Sequence, residues 1–179
     1  RAYYSYFANM AYNSSASMVR NYPRCINKDV YDRIPETDIR RGMFLDPKDY
    51  TYTKSTGVAG KELTAYARTL YPDIYSTAKV YAYMQFKVSS TTQPGVGHLN
   101  NFRSAEMYLI EAEANYFLKN EKAAQASLNT LTRDSGRDKE YNCTATGTAL
   151  LDEIKLYRKI ELFGEGFNWF DLKRWGDSL

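Results

Sequence analysis

The pattern of apolar and polar positions changes character near residue 100. From Arg103 to Leu118, RSAEMYLIEAEANYFL repeats its apolar residues with a helical period. At about 100° per residue, Met107, Ile110, Ala114, Phe117 and Leu118 share one side of a helix. Ala105, Tyr108, Leu109, Ala112 and Tyr116 share the other. A helix apolar on two sides is expected to be packed from two sides, and its alanines let a neighbour come close. Lys119-Asn120 breaks the pattern, with Asn120 placed to cap a second helix from Glu121 to about Arg133. That helix presents Ala124, Leu128 and Leu131, and Ser135-Gly136 ends it. So short a link predicts antiparallel neighbours, as in solenoid repeats. A third helix is predicted from Thr148, as N-cap, to Phe163. Asp152 and Glu153 lie in its first turn and Lys155, Arg158 and Lys159 come later, the order that the helix dipole favours. Gly164 and Gly166 stop it, and a short fourth helix is predicted over Trp169–Trp175.

Residues 1–100 read differently. Turn signals recur at Asn13-Ser14-Ser15, Tyr22-Pro23, Ile34-Pro35, Asp46-Pro47, Pro72-Asp73 and Pro94-Gly95-Val96-Gly97. Between them, VYAYMQFKV (Val80–Val88) alternates Val80, Ala82, Met84, Phe86 and Val88 with tyrosines, Gln85 and Lys87, the period of a strand. Tyr4–Tyr12 is too short and too aromatic to assign. The chain therefore divides into a loop-rich, tyrosine-rich segment with short strands over 1–100 and a helical segment over 101–179.

Charged residues sit inside the apolar faces. On the third helix Arg158 and Glu161 fall within the arc of Leu150, Leu151, Ile154, Tyr157 and Leu162, three residues apart, so that they can touch. Arg103 stands on the first helix three before Glu106. A charge held against a core needs a partner. One reading makes Glu106, Glu161 or Glu165 a catalytic acid or base. The other makes them buried partners of Arg103, Arg158 and Arg174, and it is favoured because paired catalytic carboxylates need a set separation across an open cleft. In FGEGFNWFDLKRWG (Phe163–Gly176) the aromatics are expected inside, with Trp169 and Trp175 as internal supports and Asp171 pairing locally with Arg174.

Composition narrows the classes. The 179 residues carry a net charge of +3 with acids and bases interspersed, so no nucleic-acid arm and no acidic tail is read. No stretch approaches the roughly 20 apolar residues of a membrane-spanning helix. Cys25 and Cys143 show no metal-ligand spacing, and a single His98 makes a histidine-based metal site or a Ser/His/Asp triad improbable. No cofactor and no metal is expected. Tyrosine, at 17 residues, suits wet recognition surfaces because it joins flat area to a polar tip.

RSAEMYLIEAEANYFL, then NEKAAQASLNTLTRD, then YRKIELFGEGFNWFDLKRWG, strongly resemble the SusD/RagB family of nutrient-binding outer-membrane lipoproteins of Bacteroidetes. The resemblance rests on Arg103, Ala105, Glu106, Leu109, Ala112, Glu113 and Ala114, on Leu128, Asn129 and Arg133, and on Arg158, Glu161, Leu162, Glu165, Gly166, Trp169, Asp171, Leu172, Arg174 and Trp175. Asp38 and Arg40 match an upstream Asp-x-Arg segment more loosely. Asn168, Tyr157 and Gly164 depart from the pattern locally. The resemblance implies a mainly α, tetratricopeptide-like superhelical SusD-like fold, and a non-enzyme. It implies a surface-exposed protein of the outer membrane, held there by a lipid on an N-terminal cysteine that this chain lacks. Its partner would be a SusC-like, TonB-dependent transporter, to which it delivers glycans or, in some members, peptides. The chain is read as an internal or C-terminal portion of such a protein.

The matched residues Arg103, Glu106, Arg158, Glu161, Trp169, Asp171, Arg174 and Trp175 are read as framework. Ligand contacts are expected instead from Tyr3, Tyr4, Tyr6, Asn9, Tyr12, Arg20, Asn21 and Tyr22, which mix aromatic faces with amides and a guanidinium in loop-like context. The rival functions are a helical-repeat scaffold that binds protein and a hydrolase using Glu106 or Glu161 as acid.

Overall fold

A computed structural model describes residues 6–91 and 102–177. Its helices are α1 (Tyr6–Met10), α2 (Ser17–Asn21), α3 (Lys28–Asp32), α4 (Lys61–Leu70), α5 (Ser104–Phe117), α6 (Glu121–Asn129), α7 (Gly147–Glu161) and α8 (Phe167–Trp175), with a 3-10 turn at Ile39–Met43 and a π turn at Thr130–Asp134. The chain divides into two compact units, Arg1–Tyr31 with Gly42–Leu99 and Asp32–Arg41 with Asn100–Leu179.

In the first unit Leu63 and Ala67 of α4 pack with Leu45, Ile74, Val80, Ala82, Met84 and Phe86. Tyr71 stacks on Phe86 with ring centroids 3.7 Å apart, and Tyr12 meets both rings edge-on. The alternation seen over Val80–Val88 buries Val80, Ala82, Met84 and Phe86, but no continuous strand forms there. Pairing is limited to single bridges, Val58 with Tyr81, Cys25 with Met84 and Phe44 with Gln85. The cause is a turn: the Met84 N–H donates to the Tyr81 carbonyl at 3.2 Å, and Tyr83 takes a φ of 62°, so the chain changes partners every few residues.

Gly60 opens α4 where two stretches of backbone nearly touch. Its N–H donates to the Thr51 carbonyl at 2.9 Å, and a Cβ there would lie 2.8 Å from that same oxygen. Gly60→Ala is expected to cost roughly 1–3 kcal/mol as the two segments are forced apart. The urea midpoint measures it, and an unchanged midpoint would mean that Thr51 yields freely.

The second unit is a helical hairpin backed by a third helix. Asn120 caps α6, its side-chain oxygen accepting from the Ala123 N–H at 3.3 Å. Ala105, Leu109 and Ala112 of α5 pack with Ala124, Leu128 and Leu131 and with Leu150, Ile154 and Tyr157 of α7. Burying each of the larger side chains stabilises by very roughly 2–3 kcal/mol. The expected N-cap of the third helix is corrected: Thr146, not Thr148, holds that position. The Gly147 N–H is satisfied from α6, donating to Glu121 Oε1 at 2.8 Å. Gly164 and Gly166, at φ 78° and 89°, turn the chain from α7 into α8.

Two expectations of burial are corrected here. Both α6 and α7 lie on one side of α5, so Met107, Ile110, Phe117 and Leu118 on its other side remain 49%, 45%, 59% and 77% exposed. Trp169 and Phe170 are 50% and 70% exposed, because α8 turns Asp171 and Leu172 inward instead. Cys25 and Cys143 are free thiols. Among the described residues no helix is long and apolar enough to cross a membrane.

Candidate functional site

Two clusters of charged residues brace the second unit. In the first, Glu161 ends α7 with 4% exposure. It accepts from Arg137 Nε and Nη2 at 2.8 and 3.0 Å, from Arg40 Nη1 at 3.1 Å and from Arg103 Nη2 at 3.1 Å. Arg40 also forks onto Asp38, with Nη2 to Oδ2 at 2.6 Å, and lies over the Tyr157 ring at 4.9 Å. Arg103 also donates to Glu165, with Nε to Oε2 at 3.0 Å. Arg40, Arg103 and Arg137 thus balance Asp38, Glu161 and Glu165. Burial alone raises the Glu161 carboxyl, but the hydrogen bond and charge of Arg137, with the charges of Arg40 and Arg103, outweigh it and hold Glu161 below the usual carboxylate range.

In the second cluster Asp171 accepts from Arg158 Nε at 2.6 Å and from Arg174 Nε at 2.9 Å. Arg174 also forks onto Glu113, and Trp175 Nε1 donates to Glu113 at 2.8 Å. Burial raises the Glu113 carboxyl, and the hydrogen bonds from Arg174 and Trp175 more than reverse this. The pairings differ from those that spacing suggested. Arg158 is neutralised by Asp171 of α8 rather than by Glu161 on its own helix, and Arg103 by Glu161 and Glu165 rather than by Glu106. Arg137, from the Ser135–Asp138 loop, carries no periodic signal and was missed.

A carboxylate crowded by guanidinium donors stays ionised at neutral pH, so Glu161 is unsuited to delivering a proton as a general acid. A cleft of about 440 Å³ is lined by Ile110, Glu113, Ala114, Phe117, Arg158 and Arg174. Of Arg158, Glu161, Trp169 and Trp175, only Arg158 lines it among the described residues. Its one carboxylate, Glu113, is taken by Arg174 and Trp175. Glu106, in the first turn of α5, is half-buried.

Of the expected ligand contacts, Tyr3 and Tyr4 lie outside the described residues. Tyr6 is half-buried edge-on to Phe7, and Asn9 is half-buried on the same helix. Tyr12 is corrected: it is 7% exposed, edge-on to the stacked rings of Tyr71 and Phe86, with its hydroxyl donating to Asp73 at 2.8 Å. Its ring faces are not available to a ligand. Asn21 turns its amide back onto the Ser17 carbonyl at 2.9 Å. Tyr22 stands 64% exposed, with Met18 beside it at 55%. Arg20 reaches a hydroxyl, donating from Nη1 to Thr77 Oγ1 at 2.8 Å, and lies over the Tyr75 ring at 5.4 Å. Tyr75 and Thr77 were missed because the turn that carries them shows neither period.

The chain is mainly α, braced by arginine–carboxylate clusters, and carries exposed aromatics on irregular backbone. The sequence model of the SusD family matches residues 4–179, and the chain belongs to that family. The crystal structure of a SusD-like carbohydrate binding protein from Bacteroides vulgatus is similar to it, with a TM-score of 0.59 at 23% sequence identity. The match covers 96% of this chain and 30% of that one, so the chain spans under a third of that protein's length. No curated protein matches the chain.

Proposed function

We propose that this chain is part of a non-catalytic, surface-exposed protein that captures glycans and passes them to a SusC-like, TonB-dependent transporter, the longer protein being held at the outer membrane by a lipid. Membership of the SusD family over residues 4–179 carries this reading. The carbohydrate-binding protein of similar fold supports it, as does the engagement of Glu161 and Glu165 by arginines. The framework residues hold the helices, and recognition falls to the first unit. There Tyr22 offers a ring to the apolar face of a sugar, with Arg20, two residues before it in the chain, for the hydroxyls.

Affinity electrophoresis of the protein through gels containing different polysaccharides tests the reading. At least one gel should retard it, without release of product, and Tyr22→Ala should weaken that retention about three- to tenfold. Free migration in every gel would refute glycan capture. Sugar release from a retained polysaccharide would instead favour a hydrolase.

A further inference from the structure

Resting on the glycan-binding reading above, we infer that the surface around Arg20 selects saccharides bearing an anionic group, a uronate carboxylate or a sulfate ester. The inference starts from the partners of the arginines. Arg40, Arg103, Arg133, Arg137, Arg158 and Arg174 each end on a carboxylate. Arg20 ends on the Thr77 hydroxyl and the Tyr75 ring, and its Nε is buried without a hydrogen-bond partner.

Two more cations share its surroundings, also without a carboxylate among the described residues. Lys79 is exposed, and its backbone N–H donates to the Arg20 carbonyl at 2.8 Å, which ties the two residues together. Arg68, on α4, donates to the carbonyls of Ile74, Tyr75, Ser76 and Ala78 at 3.0 to 3.3 Å, fixing the turn that carries Tyr75 and Thr77. Asp73, the carboxylate nearest in sequence to the turn that carries Tyr75 and Thr77, already accepts from Tyr12 at 2.8 Å and Asn13 at 3.1 Å.

The result is a cationic surface backed by the Tyr75 ring, 36% exposed, with Tyr22, two residues after Arg20 in the chain, 64% exposed. A planar guanidinium backed by an aromatic ring is pre-oriented for a carboxylate or sulfate, and the charge-assisted hydrogen bond it makes is stronger than one to a hydroxyl. Lys79 adds attraction at longer range. A neutral sugar ring next to the anion meets Tyr22. A nucleic acid is a poorer fit, since three cations grouped around one turn give no track along a phosphate backbone.

Calorimetric titration with matched ligands tests the inference: oligogalacturonate against its methyl ester, and a sulfated glycan against its desulfated form. The two pairs separate carboxylate from sulfate as the source of charge. At least one charged member should bind about tenfold or more tightly than its neutral partner, and the advantage should shrink as salt rises. Arg20→Gln should abolish that advantage, so that the charged and the neutral member of each pair bind alike. Lys79→Gln, at an exposed position that cannot unfold the protein, should reduce the advantage by a smaller factor. Charge-blind binding, an unchanged advantage in both variants, or equal affinity for duplex DNA would overturn anion selection and leave glycan capture standing. Retention by neutral polysaccharides with none by acidic ones would do the same. Loss of all glycan binding in the unaltered protein would remove both readings.

Discussion

Glu161→Ala is expected to destabilise the protein by about 3–5 kcal/mol, a large part of the roughly 5–15 kcal/mol by which a domain of this size is stable. Glu161 is 4% exposed and accepts from three arginines. Removing it leaves Asp38 to balance Arg40 and Glu165 to balance Arg103, while Arg137 loses both of its bonds to Glu161. A buried cation without a counter-charge costs far more than the pair contributes, so truncating one partner is the severe change. Glu161→Gln keeps the volume and isolates the charge, and most of the loss should persist. Urea denaturation at pH 7 measures both. The pH dependence follows from the same contacts. The folded-state carboxyl of Glu161 titrates below its ordinary value of 4.5, as does that of Glu113. Their stabilisation is therefore present above that value and lost as pH falls through the folded one. The gap between wild type and Glu161→Ala should accordingly close in acid. A gap of under about 1 kcal/mol at pH 7, the worth of an exposed pair, would show that the cluster is solvated.

Asp171→Asn should cost nearly as much, about 3 kcal/mol. Asp171 is 4% exposed and accepts from Arg158 Nε at 2.6 Å and Arg174 Nε at 2.9 Å. Arg174 keeps Glu113, but Arg158, 5% exposed, loses its carboxylate. Nη1 of Arg158 already lacks a hydrogen-bond partner and its guanidinium lies over the Phe167 ring at 5.4 Å, so no second acceptor stands ready. Because Asp171 joins α8 to α7, the local consequence should be loosening of α8. Amide exchange over Phe167–Trp175 should rise while α6 stays protected. Uniform exchange across the unit would mean that α8 does not come away separately.

The helices of the second unit were legible because each obeys a period and ends on residues that stop helices. Asn120 and the glycines at 164 and 166 act where the sequence placed them. Pairing was not legible. Spacing on a helix names neighbours three and four residues apart, whereas Arg158 and Glu161 draw their partners from α8, from the Arg137 loop and from Arg40, up to 121 residues away in the chain. The first unit was harder still. Val80–Val88 has the alternation of a strand, and burial follows it from Val80 to Met84, but Gln85 is buried as well and the backbone of Tyr83 at φ 62° breaks the ladder. Tyr12 and Tyr22 look alike in sequence; only packing against Phe86 separates a core ring from a presented one.

The uncovered side of α5 has a thermodynamic meaning. Ile110, Phe117 and Leu118 keep a row of hydrocarbon wet on a helix whose opposite side is dry. Water ordered there is released by whatever polypeptide or ligand settles on it, and such a release leaves a negative heat-capacity change as its mark. The helix thus holds unspent association energy, stored as solvent rather than as strain.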